Sequence, residues 1–101
     1  MEDGRTIMLR HYTLQPGTAD AFIDWWKASI VPLREAWGFA IDWAYLDREN
    51  NTFTWTISYP GDEAAFRACD EEYSAHPDRA AALSIAPPLA GATFGFPERI
   101  H

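Results

Sequence analysis

Cationic side chains and sulfur are what this sequence has least of. Of its 101 residues only 8 are Lys or Arg, Lys27 being the one lysine, against 15 Asp and Glu and a formal charge of −7. Nucleic acid is excluded as an expected partner, because phosphate binding draws its affinity from clustered cations that release counterions. Membrane surfaces, which are anionic, are disfavoured on the same ground. A single cysteine, Cys69, cannot form an internal disulfide, and His11, His76 and His101 do not give His-x-x-x-His or any other metal-ligand spacing. No metal site is expected. There is no phosphate loop, dinucleotide fingerprint or nucleophile elbow, so no cofactor is called for. No apolar run approaches the ~20 residues that span a bilayer, and the opening Met-Glu-Asp-Gly is acidic where a secretory signal is basic and then apolar. A cytoplasmic location follows as the expectation.

Against these shortages stand 15% aromatic residues, comprising five Trp, four Tyr and six Phe. A chain of this length is one domain, burying roughly 65% of the surface its unfolded form exposes. A core that small needs only a few rings, since each removes about 150 to 250 Å² from water. The surplus points to a pocket or an interface.

The run Thr6 to Leu14 is rich in β-branched and aromatic residues and stops at Pro16-Gly17, which predicts a strand and a turn. Thr18 then caps a long amphipathic helix carrying Phe22, Trp25, Trp26, Ile30, Leu33 and Trp37, with a kink expected between Ala28 and Pro32 and a stop at Gly38. Phe39 to Leu46 and Thr52 to Tyr59 alternate with period two around the polar turn 47–51, an antiparallel hairpin. Asp62 caps a second helix with Ala65, Phe66, Cys69 and Tyr73 on its apolar stripe, and His76-Pro77-Asp78 starts a short third helix through Leu83. Leu89 to Phe96 reads as the last strand. The predicted order is β-α-β-β-α-β with an extra short helix, a ferredoxin-like α+β domain built on a four-stranded antiparallel sheet. It occupies residues 1–101, with a core over about 6–96 and a tail over 97–101.

If the bulky alternate positions face the helices, then Phe39, Ile41, Trp43, Tyr45, Phe53, Trp55, Ile57, Tyr59, Phe94 and Phe96 form one layer. Ala40, Asp42, Ala44, Thr52, Thr54, Thr56, Ser58, Gly91, Thr93 and Gly95 then form the other face, small enough for close sheet-on-sheet packing. The aromatic layer is an ordinary core or a core with an aromatic-lined pocket.

With these elements placed, the chain resembles the NIPSNAP-like family of the dimeric α/β-barrel superfamily. The residues that carry the resemblance are Leu9-Arg10-x-Tyr12-x-Leu14-x-Pro16-Gly17, Phe22 and Trp26, Ile30-x-Pro32-Leu33-Arg34, Gly38, Trp43, Trp55, Tyr59 and Phe66-Arg67. The resemblance implies a homodimer in which two sheets pack face to face. It also implies a superfamily that includes cofactor-independent monooxygenases, haem-degrading enzymes, polyketide cyclases and muconolactone-type isomerases, with pockets between sheet and helices.

His76 is the candidate acid/base group, since imidazole titrates near neutrality and the start of the short helix can tip it towards Tyr73; the competing reading is a helix cap. Arg10 and Tyr12 are candidates to steady a carboxylate or enolate oxygen, the competing reading being an Arg10–Asp42 pair at the dimer face. Trp26, Trp43, Tyr45, Trp55 and Tyr73 are the candidate substrate-binding residues. The expected function is binding of a small apolar or aromatic molecule between sheet and helices, with cofactor-free cyclase, isomerase or monooxygenase chemistry if it is an enzyme. The alternative is a non-catalytic dimerisation or ligand-binding module.

Overall fold

The computed structural model describes residues 4–101. Strand β1 (Arg5–Leu14) leads through the Pro16-Gly17 turn into a helical arm made of α1 (Ala19–Trp25), a π-helical turn (Trp26–Ile30) and α2 (Val31–Ala36). The hairpin β2 (Ala40–Asp47) and β3 (Thr52–Pro60) follows, then α3 (Glu63–Ala75), the short α4 (Pro77–Ser84) and β4 (Leu89–Gly95). The four strands pair antiparallel in the order β2-β3-β1-β4. This is the predicted ferredoxin-like arrangement, with the extra helix in its expected place.

Local chemistry explains most of the boundaries. Gly38 ends the arm at φ 91°, a left-handed conformation that glycine adopts without the cost of a Cβ. Asp62 accepts a hydrogen bond from the Ala65 amide at 2.9 Å and starts α3. Thr18 does not cap α1 with its side chain; its hydroxyl donates instead to the Gln15 carbonyl at 2.7 Å. The expected kink takes the form of the π-helical turn. Pro32 has no N–H to offer the Ala28 carbonyl, and one residue earlier the Val31 amide reaches back five residues to the Trp26 carbonyl.

The sheet departs from simple alternation at one place. Ile41 pairs with Ile57 and Trp43 with Thr56, so Asp42 is an extra residue in β2 and every side chain after it changes face. Trp43 and Tyr45 therefore join Thr56 and Thr54 on the open face, where they are 42% and 69% exposed, and Ala44 and Leu46 turn towards the helices. The expectation that all bulky alternate residues of β2 face the helices is corrected by this bulge. In β1, Met8, Arg10, Tyr12 and Leu14 lie on the helix side, while Ile7, Leu9, His11 and Thr13 lie on the open side. Arg10 is thus on the opposite face from the one an Arg10–Asp42 pair requires.

The buried layer between sheet and helices holds Met8, Tyr12, Leu14, Phe22, Trp26, Ile30, Phe39, Phe53, Trp55, Ile57, Phe66, Cys69 and Tyr73. Its rings meet mostly edge to face, as for Trp26 against Trp55 at 5.3 Å and 80°, and Trp26 against Phe53 at 5.0 Å and 70°. Such geometry sets the positive rim of one ring against the negative face of another.

Candidate functional site

A small cavity of about 40 Å³ opens inside this layer, walled by β1, β3, the helical arm, α3 and α4. The arm contributes Trp25, Trp26, Ile30 and Arg34; the sheet contributes Arg10, Tyr12 and Trp55; Tyr73 comes from α3, and Arg79 and Leu83 from α4. A second cavity of about 180 Å³ shares Arg10, Tyr12, Trp25, Arg79 and Leu83 with it and extends along Phe22, Leu89 and Ala92. They form two adjoining chambers, the smaller large enough for one or two waters and the larger of fragment size.

Sequence spacing places the arm residues. Trp26, Ile30 and Arg34 recur every four positions, and a π turn holds close to that many residues, so all three point to the same side and each is buried. An arginine has thereby taken a place in the apolar stripe. Arg34 is 3% exposed; its Nη1 donates to Asp70 at 2.7 Å, and its guanidinium lies 4.0 Å from the Tyr73 ring centre and 4.7 Å from that of Phe39. Burial lowers its pKa from the ordinary arginine value, while Tyr73 and Asp70 oppose that shift; a guanidinium remains charged throughout the physiological range.

Arg10 projects from β1 over the Phe94 ring at 4.6 Å, and its Nε donates to the Tyr12 hydroxyl at 2.8 Å. Because that hydroxyl oxygen accepts from Arg10, its own proton remains to be donated elsewhere. Burial raises the Tyr73 pKa above the usual phenol value despite the opposing field of Arg34, Arg79 and Arg10, so Tyr73 is a neutral O–H donor at pH 7. Trp25 closes one corner, its indole N–H donating to the Ala82 carbonyl at 2.9 Å and tying the arm to α4.

Three nitrogen donors among these residues are buried without a partner: Trp26 Nε1, Trp55 Nε1 and Arg34 Nε. A buried donor left unpaired costs about 1 to 3 kcal/mol, and all three belong to residues that line this one cavity.

Of the residues singled out from sequence, Arg10, Tyr12, Trp26, Trp55 and Tyr73 meet at this cavity. Trp43 and Tyr45 are on the far face of the sheet. His76 lines neither chamber. Its Nδ1 accepts from the Asp78 amide at 3.1 Å, capping α4, and its ring packs edge-on to Trp37 at 5.3 Å. Sequence reasoning missed Arg34 and Arg79 as site residues. The four-residue spacing of Trp26, Ile30 and Arg34 is the signal that reveals the first, whereas Arg79 reaches the site only because α4 folds over it. Among the described residues no group of three or more His, Cys, Asp or Glu side chains is placed to hold a metal ion, and no helix is long and apolar enough to cross a membrane.

No protein-family profile matches the sequence, and no curated protein is significantly similar to it. Solved structures do match. A NIPSNAP family protein of unknown function from Agrobacterium tumefaciens superposes with a TM-score of 0.82 at 12% identity, covering 100% of this chain and 95% of that one. An uncharacterised NIPSNAP-like domain protein from Burkholderia xenovorans gives 0.79 at 16% identity, covering 96% and 86%. A Caulobacter crescentus protein provisionally assigned as an antibiotic biosynthesis monooxygenase gives 0.71 at 13% identity, covering 97% and 92%. At these identities the likeness is one of architecture: the chain has the ferredoxin-like fold seen in these solved NIPSNAP domain structures.

Proposed function

We propose that this protein binds a small aromatic or apolar molecule in the double chamber between sheet and helices. The observation that carries this reading is the pair of buried, unpartnered indole N–H groups of Trp26 and Trp55, two residues that line a cavity walled by further rings and by Arg10, Arg34 and Arg79. A bound molecule with one hydrogen-bond acceptor satisfies donors that the protein alone leaves empty. Donors fixed in a dry site stabilise an enolate or phenolate oxygen more than they do the neutral ground state. Cyclisation, isomerisation or oxygenation of an activated carbonyl or phenol is the chemistry such a site favours, in keeping with the monooxygenase assignment given to one structural relative. In this reading His76 serves as the cap that sets α4 over the cavity, and Arg10 and Tyr12 steady the oxygen.

The test is a two-dimensional NMR titration that follows the five indole N–H resonances while benzoate and its neutral and cationic analogues are added. Selective movement of the Trp26 and Trp55 signals, with those of Trp37 and Trp43 unmoved, is the expected result. If no compound moves them, the pocket is only a core.

We further propose that the open sheet face is covered by a second copy of the chain. That face exposes Trp43 and Tyr45, and the hydroxyl of Thr56 beneath it is buried without a partner. Light scattering at micromolar concentration tests this, and a stable monomer refutes it.

A further inference from the structure

The charge lining the cavity runs against that of the whole molecule. Three of the eight cationic residues, Arg10, Arg34 and Arg79, stand on its walls, from β1, α2 and α4, and among the described residues no Asp or Glu lines either chamber. Only Arg34 has a carboxylate partner among the described residues, Asp70, which does not line the cavity. Two guanidinium groups in a chain of formal charge −7 therefore stand on the walls of this space with no carboxylate partner among the described residues, beside residues whose buried N–H donors are unpartnered.

Like charges gathered this way repel, and the repulsion is felt at Arg34, whose protonated form Arg10 disfavours. A bound anion reverses the sign of that interaction. A neutral carbonyl satisfies the indole donors but leaves the charge unanswered, and a cation adds to the repulsion. The remaining polar groups are of the same kind, since the Tyr12 hydroxyl already accepts from Arg10 and is left to donate. The larger chamber adds Phe22, Leu89 and Ala92, so the body of the ligand is apolar while its head is charged.

Resting on the proposed pocket, the geometry points to an organic anion as the ligand: a small aromatic or apolar carboxylate, or the phenolate or enolate of a similar body, with its charged oxygen among Arg34, Trp26 and Trp55 and its apolar part towards Leu89. Arg10 and Arg79 line both chambers and set the preference for negative charge.

Benzoate, benzamide and benzamidine share one planar shape and carry a negative, zero and positive charge. Titrated against the full chain with the Trp26 and Trp55 indole signals as the readout, benzoate is expected to bind at least tenfold more tightly than benzamide, and benzamidine not at all. Benzoate affinity falls with added sodium chloride while that of benzamide does not. Arg79→Gln and Arg10→Gln lie at partly exposed positions, and each is expected to weaken benzoate severalfold and by more than it weakens benzamide; far-ultraviolet circular dichroism confirms that each variant is folded. Equal binding of benzoate and benzamide overturns the anion preference but leaves the pocket standing. A preference for benzamidine overturns it as well. Failure of all three to move the indole signals removes both readings. Inorganic phosphate moving those signals as strongly as benzoate at equal ionic strength shows a bare anion site and overturns the organic ligand.

Discussion

Replacing Asp70 by Asn tests the energetics of the buried guanidinium most directly. Arg34 is 3% exposed, its Nε has no partner, and Asp70 is the one carboxylate in contact with it among the described residues. Breaking a fully buried ion pair by removing one partner costs roughly 3 to 5 kcal/mol, because the other charge stays in low dielectric without compensation. Three features reduce that figure here. The Asp70 side chain keeps 24% of its exposure, so water already screens the pair. Asn retains an oxygen to accept from Nη1. The faces of Tyr73 and Phe39 at 4.0 and 4.7 Å continue to attract the cation. A loss of about 2 kcal/mol follows, equivalent to roughly a 30-fold shift in the unfolding equilibrium and, for a domain of this size, to a fall in Tm of about 8 to 16 °C. Urea unfolding at pH 7, followed by tryptophan fluorescence, measures it, and an unchanged m-value shows that stability alone has moved. The double variant Arg34→Met, Asp70→Leu is expected to cost less than Asp70→Asn alone, since it leaves no charge unpaired. A cost below about 0.5 kcal/mol for Asp70→Asn refutes the reasoning, as does a double variant less stable than the single one.

Three other outcomes are expected. The folded-state pKa of Tyr73 is raised by burial above its unfolded value, so its contribution is fully present below about pH 10 and is lost as pH rises through the folded pKa. Urea titrations between pH 8 and 11 are expected to show this alkaline loss, and Tyr73→Phe to make it shallower; equal slopes refute the assignment. His76→Ala removes the cap of α4 and is expected to cost about 1 kcal/mol, and His76→Asn, which keeps a side-chain acceptor at that position, to restore most of it; equal loss in both variants, in thermal melts, argues against a capping role. Gly38→Ala places a side chain at φ 91° with its Cβ 3.4 Å from the Tyr59 ring, and a destabilisation of about 1 to 2 kcal/mol is expected in the same melts.

Much of the fold was legible from the chain because its signals are local. Pro16-Gly17 and Pro60-Gly61 mark the turns, Asp62 and His76 cap their helices, and the hairpin alternation is visible without any partner. The site was legible only in part. Trp26 and Tyr73 stand in apolar stripes whose direction the helical period fixes, and Trp55 lies in a strand with unbroken alternation, so all three arrived where they were expected. Trp43 and Tyr45 did not, because alternation cannot register the one extra residue at Asp42. The bulge becomes visible only when β2 is laid against β3.

What the sequence by itself determined, then, is the element order, the turns, most of the caps, the acidic balance and the high content of rings. These depend on the conformational preferences of neighbouring residues and on composition. The tertiary structure alone decided which face of β1 carries Arg10 and Tyr12, and that Arg34 is buried rather than solvated. It also decided that arginines 24 and 45 residues apart along the chain meet at one cavity. Each of these depends on what packs against a residue from elsewhere in the chain, and a charge that is unremarkable along the sequence becomes part of a cavity wall only once the sheet and helices have closed around it.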